Sequence, residues 1–298
     1  MKNNLIVLLG PTGVGKTELS IELAERIGSE IISADSRQFY RELSIGTAVP
    51  SDDQLRRVKH HFIRFISINE YYSSSIFERD VLELLPALFK KRNIVIMSGG
   101  SCMYIDAVCN GIDNIPDTDP EIRQKYIRLY DEEGIAGLRV ALKLLDPVHY
   151  SRVDLKNHKR IIRALEICET TGMPYSSFLK KEKNEREFEI IKIGLRRDRD
   201  DLYGRINRRV DEMIEMGLES EARSLYSSRD LNALNTVGYR ELFSYFGGSV
   251  TRDKAIELIK RNSRRYSKRQ MTWWAKDDSI SWFHPSEKEK ILEIITHL

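Results

Sequence analysis

Gly10-Pro11-Thr12-Gly13-Val14-Gly15-Lys16-Thr17 follows directly on the apolar run Leu5-Ile6-Val7-Leu8-Leu9, and this junction constrains the fold more than any other stretch of the chain. A glycine-rich phosphate loop carries meaning only where a buried strand feeds it and a helix leaves it. Both conditions hold, because Ile21, Leu23, Ala24 and Ile27 continue at helical spacing on the far side. Glycines let successive backbone N–H groups turn inward around phosphate oxygens, helped by the positive end of the helix. Lys16 adds a mobile cation, and the Thr17 hydroxyl stands where it can ligate Mg²⁺. The loop therefore predicts a phosphate or diphosphate ligand. It does not say whether that group belongs to a nucleotide such as ATP, the usual ligand of this signature, nor whether it is transferred or leaves.

The rest of the first 110 residues reads as alternating strand and helix. After the strand at 4–9 and the helix at 15–27 come a second strand at Glu30–Ala34 and a longer, mostly polar and helical stretch. The run Ile94-Val95-Ile96-Met97 is a fully buried strand ending at Ser98-Gly99-Gly100. Such alternation predicts a parallel sheet with right-handed crossovers, whose ligands sit beyond the carboxyl ends of the strands. Gly10–Thr17, Asp35-Ser36 and Gly99-Gly100-Ser101 should therefore face one crevice. Ile115-Pro116-Asp117-Thr118-Asp119-Pro120 is turn chemistry, with Thr118 or Asp119 as the cap of a helix opened by Pro120. From there to Thr171 the pattern is helical, broken at Gly134 and Asp146-Pro147, and Gly172-Met173-Pro174 ends it. The charged segment Lys180 to Glu187 leads to a strand at Phe188–Leu195 that returns to the sheet, then to a long helix carrying Ile206, Val210, Met213 and Ile214. The expected organisation is an α/β, P-loop NTPase-like parallel sheet flanked by helices. Its first part is 1–111, its continuation with basic carboxyl-terminal helices is 188–298, and 112–187 is a mainly helical insertion.

No apolar stretch approaches the roughly 20 residues that span a bilayer, and Leu5–Leu9 is too short for a signal peptide. Cys102, Cys109 and Cys168 have neither metal-site spacing nor scaffold density, so a reducing cytoplasm is expected, with the thiols as packing groups. The net charge of +3 excludes little. Its distribution says more: from Lys254 to Lys276 eight basic residues stand against the single Glu257, interleaved with Tyr266, Trp273 and Trp274. Phosphate pairing and base stacking occur together in nucleic-acid binders, although a solvated helix face has the same composition.

Asp35, at the carboxyl end of an apolar strand, suits a general base, an outer ligand of Mg²⁺ through water, or a helix cap. The strand at 94–97 ends in Ser-Gly-Gly, without the metal-binding acid common in nucleoside triphosphatases. That argues against ATP hydrolysis and favours Asp35 as the acid/base. Ser101 could donate to a diphosphate or to the attacking atom, or simply cap the next helix. His60-His61 has no matching acidic or cysteine partner nearby and reads as structural rather than metal-binding. Arg160 and Arg163 share a helical face, as do Arg205 and Arg209. One arginine of the Arg205, Arg208, Arg209 group on the crevice side could stabilise a departing phosphate.

Together these motifs resemble the tRNA dimethylallyltransferase (tRNA isopentenyl-adenosine prenyltransferase) family. The resemblance runs in order through the P-loop, Asp35-Ser36-x-Gln38-x-Tyr40, Ile45-Gly46-Thr47-Ala48, His60-His61, Gly99-Gly100-Ser101-x-x-Tyr104, Asp146-Pro147 and Arg160-x-x-Arg163-Ala164-Leu165-Glu166. It continues through Val237-Gly238-Tyr239-Arg240-Glu241 and Arg265-Tyr266-Ser267-Lys268-Arg269-Gln270-x-Thr272-Trp273. It implies that the P-loop grips the diphosphate of dimethylallyl diphosphate while N6 of the adenosine 3′ to a tRNA anticodon attacks the allylic carbon. Asp35 then matches the general base, Thr17 the Mg²⁺ and diphosphate contact, Arg209 a diphosphate contact, and Ser101 a contact to the reacting adenosine. The tRNA anticodon stem-loop would be met by Asp35, Ser36, Arg37, Gln38, Arg123, Arg160, Arg163, Gly238, Tyr239, Arg240, Arg265, Lys268, Arg269, Gln270 and Trp273. A monomer is expected.

Three positions depart from the family pattern. Cys102-Met103 replaces glycine-leucine, Ser101 replaces threonine, and Arg64 stands where aspartate is frequent. Two other classes compete: a P-loop kinase acting on a small molecule, which leaves the basic-aromatic tail without a purpose, and a non-catalytic RNA binder, which leaves Lys16, Thr17 and Asp35 without one.

Overall fold

The computed structural model describes residues 2–113, 115, 116, 119–179 and 184–298. They form two compact units, Met1–Asn110 with Glu185–Leu298, and Gly111–Asn184.

The larger unit is built on six strands: β1 (Asn4–Leu9), β2 (Ile31–Ser33), β3 (His60–His61), β4 (Ile94–Gly99), β5 (Glu189–Leu195) and β6 (Ile280–Phe283). Every pairing is parallel, in the order β3-β2-β4-β1-β5-β6. β1 is central and wholly buried, which is why it reads as an unbroken apolar run. Its side chains alternate between two cores. Leu5, Val7 and Leu9 face one with Phe77 and Val81, whereas Ile6 and Leu8 face another with Leu19, Leu23 and Ile206. The helices on these faces are α1 (Lys16–Ile27), α2 (Asp52–Arg57), α3 (Ser74–Phe89) and α4 (Cys102–Asn110) from the first part of the chain.

The smaller unit packs α5 (Pro120–Leu145), α6 (Pro147–Tyr150) and α7 (His158–Thr171) around Tyr126, Leu138, Leu142, Ile161 and Leu165. Its breaks fall at the expected residues. Gly134 kinks α5 with φ 66°, Asp146 caps α6, and Gly172 closes α7 in the left-handed region. Asp119 caps α5 by accepting from the Glu121 N–H. Thr118, the alternative cap, and Lys180–Lys183 of the charged segment lie outside the described residues.

The larger unit resumes after β5 with α8 (Arg199–Glu215), α9 (Leu218–Ser224), α10 (Tyr239–Phe246), α11 (Arg252–Trp274) and α12 (Lys288–Thr296). Two strands depart from the sequence expectation. β3 hides in the stretch read as polar and helical, because a two-residue edge strand of histidines has no periodicity to detect. His61 does have an acidic partner, Glu30 at 2.6 Å just before the neighbouring strand β2, and the His60 ring donates from Nδ1 to the Val58 carbonyl. β6 is an outer strand of four residues beyond the basic helix. Among the described residues, no helix is long and apolar enough to cross a membrane.

Candidate active site

The P-loop lies between β1 and α1, with Gly15 as the residue before the helix at φ 111°, a conformation that L side chains rarely adopt. Cations surround the loop. Lys16 folds back so that its ammonium donates to the carbonyls of Gly10 at 2.8 Å and Pro11 at 3.0 Å. Arg197 donates to the Val14 carbonyl at 2.8 Å and Arg205 to that of Gly13 at 3.0 Å. Arg209 reaches the Thr12 hydroxyl at 3.1 Å. With these carbonyls taken by cations, a glycine-rich loop of this kind offers its free N–H groups to an anion. Within the loop, the Thr12 N–H donates to Gln270 at 2.9 Å and the Val14 N–H to the Pro11 carbonyl at 3.3 Å.

The expected convergence of strand ends is present. Beyond β1, β2 and β4, Lys16, Thr17, Asp35, Gly100 and Arg209 line one open chamber of about 870 Å³, large enough for a diphosphate ester with an adenine. Asp35 sits in a tight turn rather than at a helix terminus: its Oδ1 accepts from the Arg37 N–H at 3.2 Å, and its carbonyl accepts from the Gln38 N–H at 3.0 Å. Ser101 braces that turn. Its hydroxyl accepts from the Ser36 N–H at 2.8 Å and donates to the Ser36 hydroxyl at 3.0 Å. The Ser101 hydroxyl, expected to meet substrate, is thus occupied by the Asp35 turn and lies outside the chamber lining. A second, smaller recess of about 50 Å³ is bounded by Lys16, Thr17, Asp35 and His60.

Electrostatics follow from this crowding. Burial lowers Lys16 to about 8, with Asp35 pulling it up and Arg209 pushing it down. Arg209 is lowered as well, first by burial, with Asp35 and then Glu212 opposing. Burial and the Asp35 charge raise the Tyr266 phenol. Burial raises the Cys102 and Cys109 thiols to about 12, which suits packing groups.

α11 divides along its length. Ser267, Gln270 and Trp274 are buried, and Arg265, Lys268, Arg269 and Trp273 are exposed, Arg269 at the edge of the chamber. Gln270, expected on the RNA, is 2% exposed; besides accepting from Thr12 it donates to the Gly100 carbonyl at 2.8 Å. Tyr239, expected there too, is fully buried and donates to Glu221 at 2.6 Å. Both are supports of the chamber, because their polar ends are spent internally. Ser36, Arg37, Gln38, Gly238, Arg240 and Arg269 line it. Arg37 also reaches the carbonyls of Asn232 and Ala233, and Trp273 donates from its indole to Asp106 at 2.7 Å. Arg197 and Glu221 were missed at the sequence level. Arg197 had one usable signal, its place just past the carboxyl end of β5.

In the smaller unit, Glu166 is fully buried and paired with Arg123 at 2.9 Å and Arg163 at 3.3 Å. A carboxylate there is tolerable only with such partners. Arg160 and Arg163 share a cleft of about 420 Å³ with Arg152, His149 and Tyr175.

Residues 38–277 match the family model described as IPP transferase. A curated relative from Parabacteroides distasonis, named tRNA dimethylallyltransferase 2, is 57% identical over 99% of this chain and 98% of its own. One from Bacteroides fragilis, named tRNA dimethylallyltransferase 1, is 54% identical over 98% and 97%. The crystal structure of the full-length tRNA isopentenylpyrophosphate transferase from Bacillus halodurans covers 99% of this chain and 96% of that one at TM-score 0.72 and 35% identity. A strand–loop–helix cradle facing a carboxylate, in a chain alike over its whole length to these proteins, belongs to the IPP transferase family, the tRNA dimethylallyltransferases.

Proposed function

We propose that this protein transfers the dimethylallyl group of dimethylallyl diphosphate to N6 of the adenosine 3′ to the anticodon of a tRNA, releasing diphosphate. The observation that carries the reading is one chamber lined together by residues of the P-loop, Lys16, Arg209 and Asp35. The allylic carbon–oxygen bond breaks with its electron pair leaving on the diphosphate, and the N6 lone pair forms the new carbon–nitrogen bond. The loop's N–H groups, Lys16 and Arg209 stabilise the charge that grows on the leaving oxygen. Asp35 accepts the proton that N6 must lose, since a neutral exocyclic amine is a poor nucleophile. The adenine reaches this depth by leaving its stack in a single-stranded loop, and the outward cations of α11 take the neighbouring backbone.

Thr17 and Asp35 border the same recess, one hydroxyl and one carboxylate. So sparse a donor set suits Mg²⁺, which keeps water and substrate phosphate oxygens as most of its ligands. Thr17 would hold the ion together with diphosphate oxygens, and Asp35 would meet it through water. When bound, the ion adds charge neutralisation at the leaving group. The acid, the loop and its cations all come from one chain, which supports action as a monomer. The cytoplasm, where tRNA is available, is the proposed setting.

The test is incubation of the protein with unmodified tRNA, radiolabelled dimethylallyl diphosphate and Mg²⁺. Label should appear in an anticodon-loop adenosine. An unlabelled tRNA overturns the proposal, and ATP-dependent phosphorylation of a small molecule would put a kinase in its place.

A further inference from the structure

One partly buried arrangement has no part in the mechanism above. The Glu221 carboxylate, on α9, accepts from three successive backbone N–H groups, those of Ser44 at 3.1 Å, Ile45 at 2.8 Å and Gly46 at 3.0 Å. A fourth donor is the Tyr239 hydroxyl at 2.6 Å. The 44–48 segment belongs to no strand or helix, so Glu221 satisfies amides that its own backbone leaves unpaired. Three consecutive N–H groups converging on one carboxylate form a concave anion nest. Gly46 is required there, because a Cβ would stand 2.7 Å from the Tyr239 ring.

The segment is pinned on its other side as well. Gln38 donates from Nε2 to the carbonyls of Thr47 at 3.1 Å and Ala48 at 3.0 Å, and its Oε1 accepts from Ser33. The Gln38 N–H in turn bonds to the Asp35 carbonyl. Ala48 is held at φ 48°, a costly conformation for a residue with a side chain. Glu221, the 44–48 segment, Gln38 and Asp35 thus form one connected hydrogen-bonded series, and Gly46, Thr47 and Ala48 line the chamber.

We infer that Glu221 is a positioning residue for the transfer reaction: through the backbone of Ser44–Gly46 it holds the Gly46–Ala48 wall of the chamber, and with it the Asp35 turn. Glu221 touches no reacting atom. Its loss loosens the wall, so the allylic diphosphate and the base are misplaced while the outward RNA face of α11 stays as it is. This inference rests on the proposed transfer reaction.

The experiment compares Glu221→Gln, Glu221→Ala, Glu221→Asp and Tyr239→Phe with the unaltered protein. Backbone amide exchange is read without substrate, alongside steady-state transfer and tRNA binding. Glu221→Gln should lower kcat/KM for dimethylallyl diphosphate roughly 10- to 100-fold, the weight of one or two charge-assisted hydrogen bonds. Exchange at residues 44–46 should quicken, tRNA affinity should hold, and Glu221→Asp should recover part of the loss. Tyr239→Phe, which removes one donor of four, keeps the fold and should show the same pattern weakly. Unchanged exchange at 44–46 overturns the inference, as does a loss that matches the fall in folded fraction or appears equally in tRNA affinity. Failure of the unaltered protein to transfer dimethylallyl would instead strike the proposed function, which the exchange measurement does not depend on.

Discussion

The cations around the P-loop and those on α11 are of the same residue types and are used in opposite ways. Lys16, Arg197, Arg205 and Arg209 point inward, and each donates to the P-loop within 3.1 Å. Arg265, Lys268 and Arg269 stand exposed on successive turns and pair with no carboxylate among the described residues. Buried cations keep their geometry and act on a small anion at short range, where salt screens little. Exposed ones act on a polyanion by displacing its counterions, an effect that salt reverses. The first set should therefore govern turnover and the second tRNA affinity.

Asp35 gives the sharpest break between the two. Asp35→Ala removes the proposed proton acceptor and should lower kcat by about 10³-fold, within the usual weight of a general base. Affinity for tRNA, measured by filter binding, should stay near that of the unaltered protein. An equal loss in binding would make Asp35 a positioning contact to the RNA. Arg209→Ala should follow with a loss of about 10²-fold in kcat/KM for dimethylallyl diphosphate, the scale of one lost donor at a developing anion. That loss should be the same in 50 and 200 mM salt.

The outward set behaves differently under the same measurements. Replacing Arg265 and Lys268 together by alanine should reduce the slope of log Kd for tRNA against log salt by about 1.4, from two phosphate contacts on a single strand. At moderate salt the affinity should fall about tenfold, and kcat at saturating tRNA should be unchanged. A slope that does not move would assign this face of α11 to solvation. It would also dissolve the contrast between the two sets.

Much of the inward arrangement was legible because it is local. Strand, loop and helix around Lys16 are contiguous, and the strand ends at Asp35 and Gly100 converge by the rules of parallel sheets. What the sequence hid are partners far along the chain. Gln270 lies 258 residues from Thr12, and Glu221 lies 175 from Gly46. Periodicity marks the inward face of α11 but cannot tell a buried glutamine that clamps a loop from one that faces RNA. Ser101 shows the same limit: its hydroxyl had three plausible uses in sequence, a diphosphate, the attacking atom or a helix cap, and packing directed it to Ser36. β3 escaped because two residues are too few for an alternating pattern.

Lys16 offers the smallest effect and a separate handle on the inward set. Burial brings its ammonium to about 8, below the ordinary 10.5 of a lysine. A diphosphate in the loop needs the cation, so above pH 8 binding must take up a proton, and affinity falls as pH rises. Between pH 8 and pH 9 the Kd for dimethylallyl diphosphate should rise about fivefold, while tRNA affinity stays level, since the α11 arginines remain charged. Unfolding would not mimic this. A lysine lowered in the folded state binds fewer protons there than when unfolded, so its own contribution to stability rises from pH 8 to the unfolded value near 10.5. Lys16→Arg, which stays protonated throughout, should bind more weakly at pH 7 yet show a flat profile to pH 9 in titration calorimetry. A profile that keeps its slope in that variant would move the titration to another group and leave Lys16 charged in the free protein.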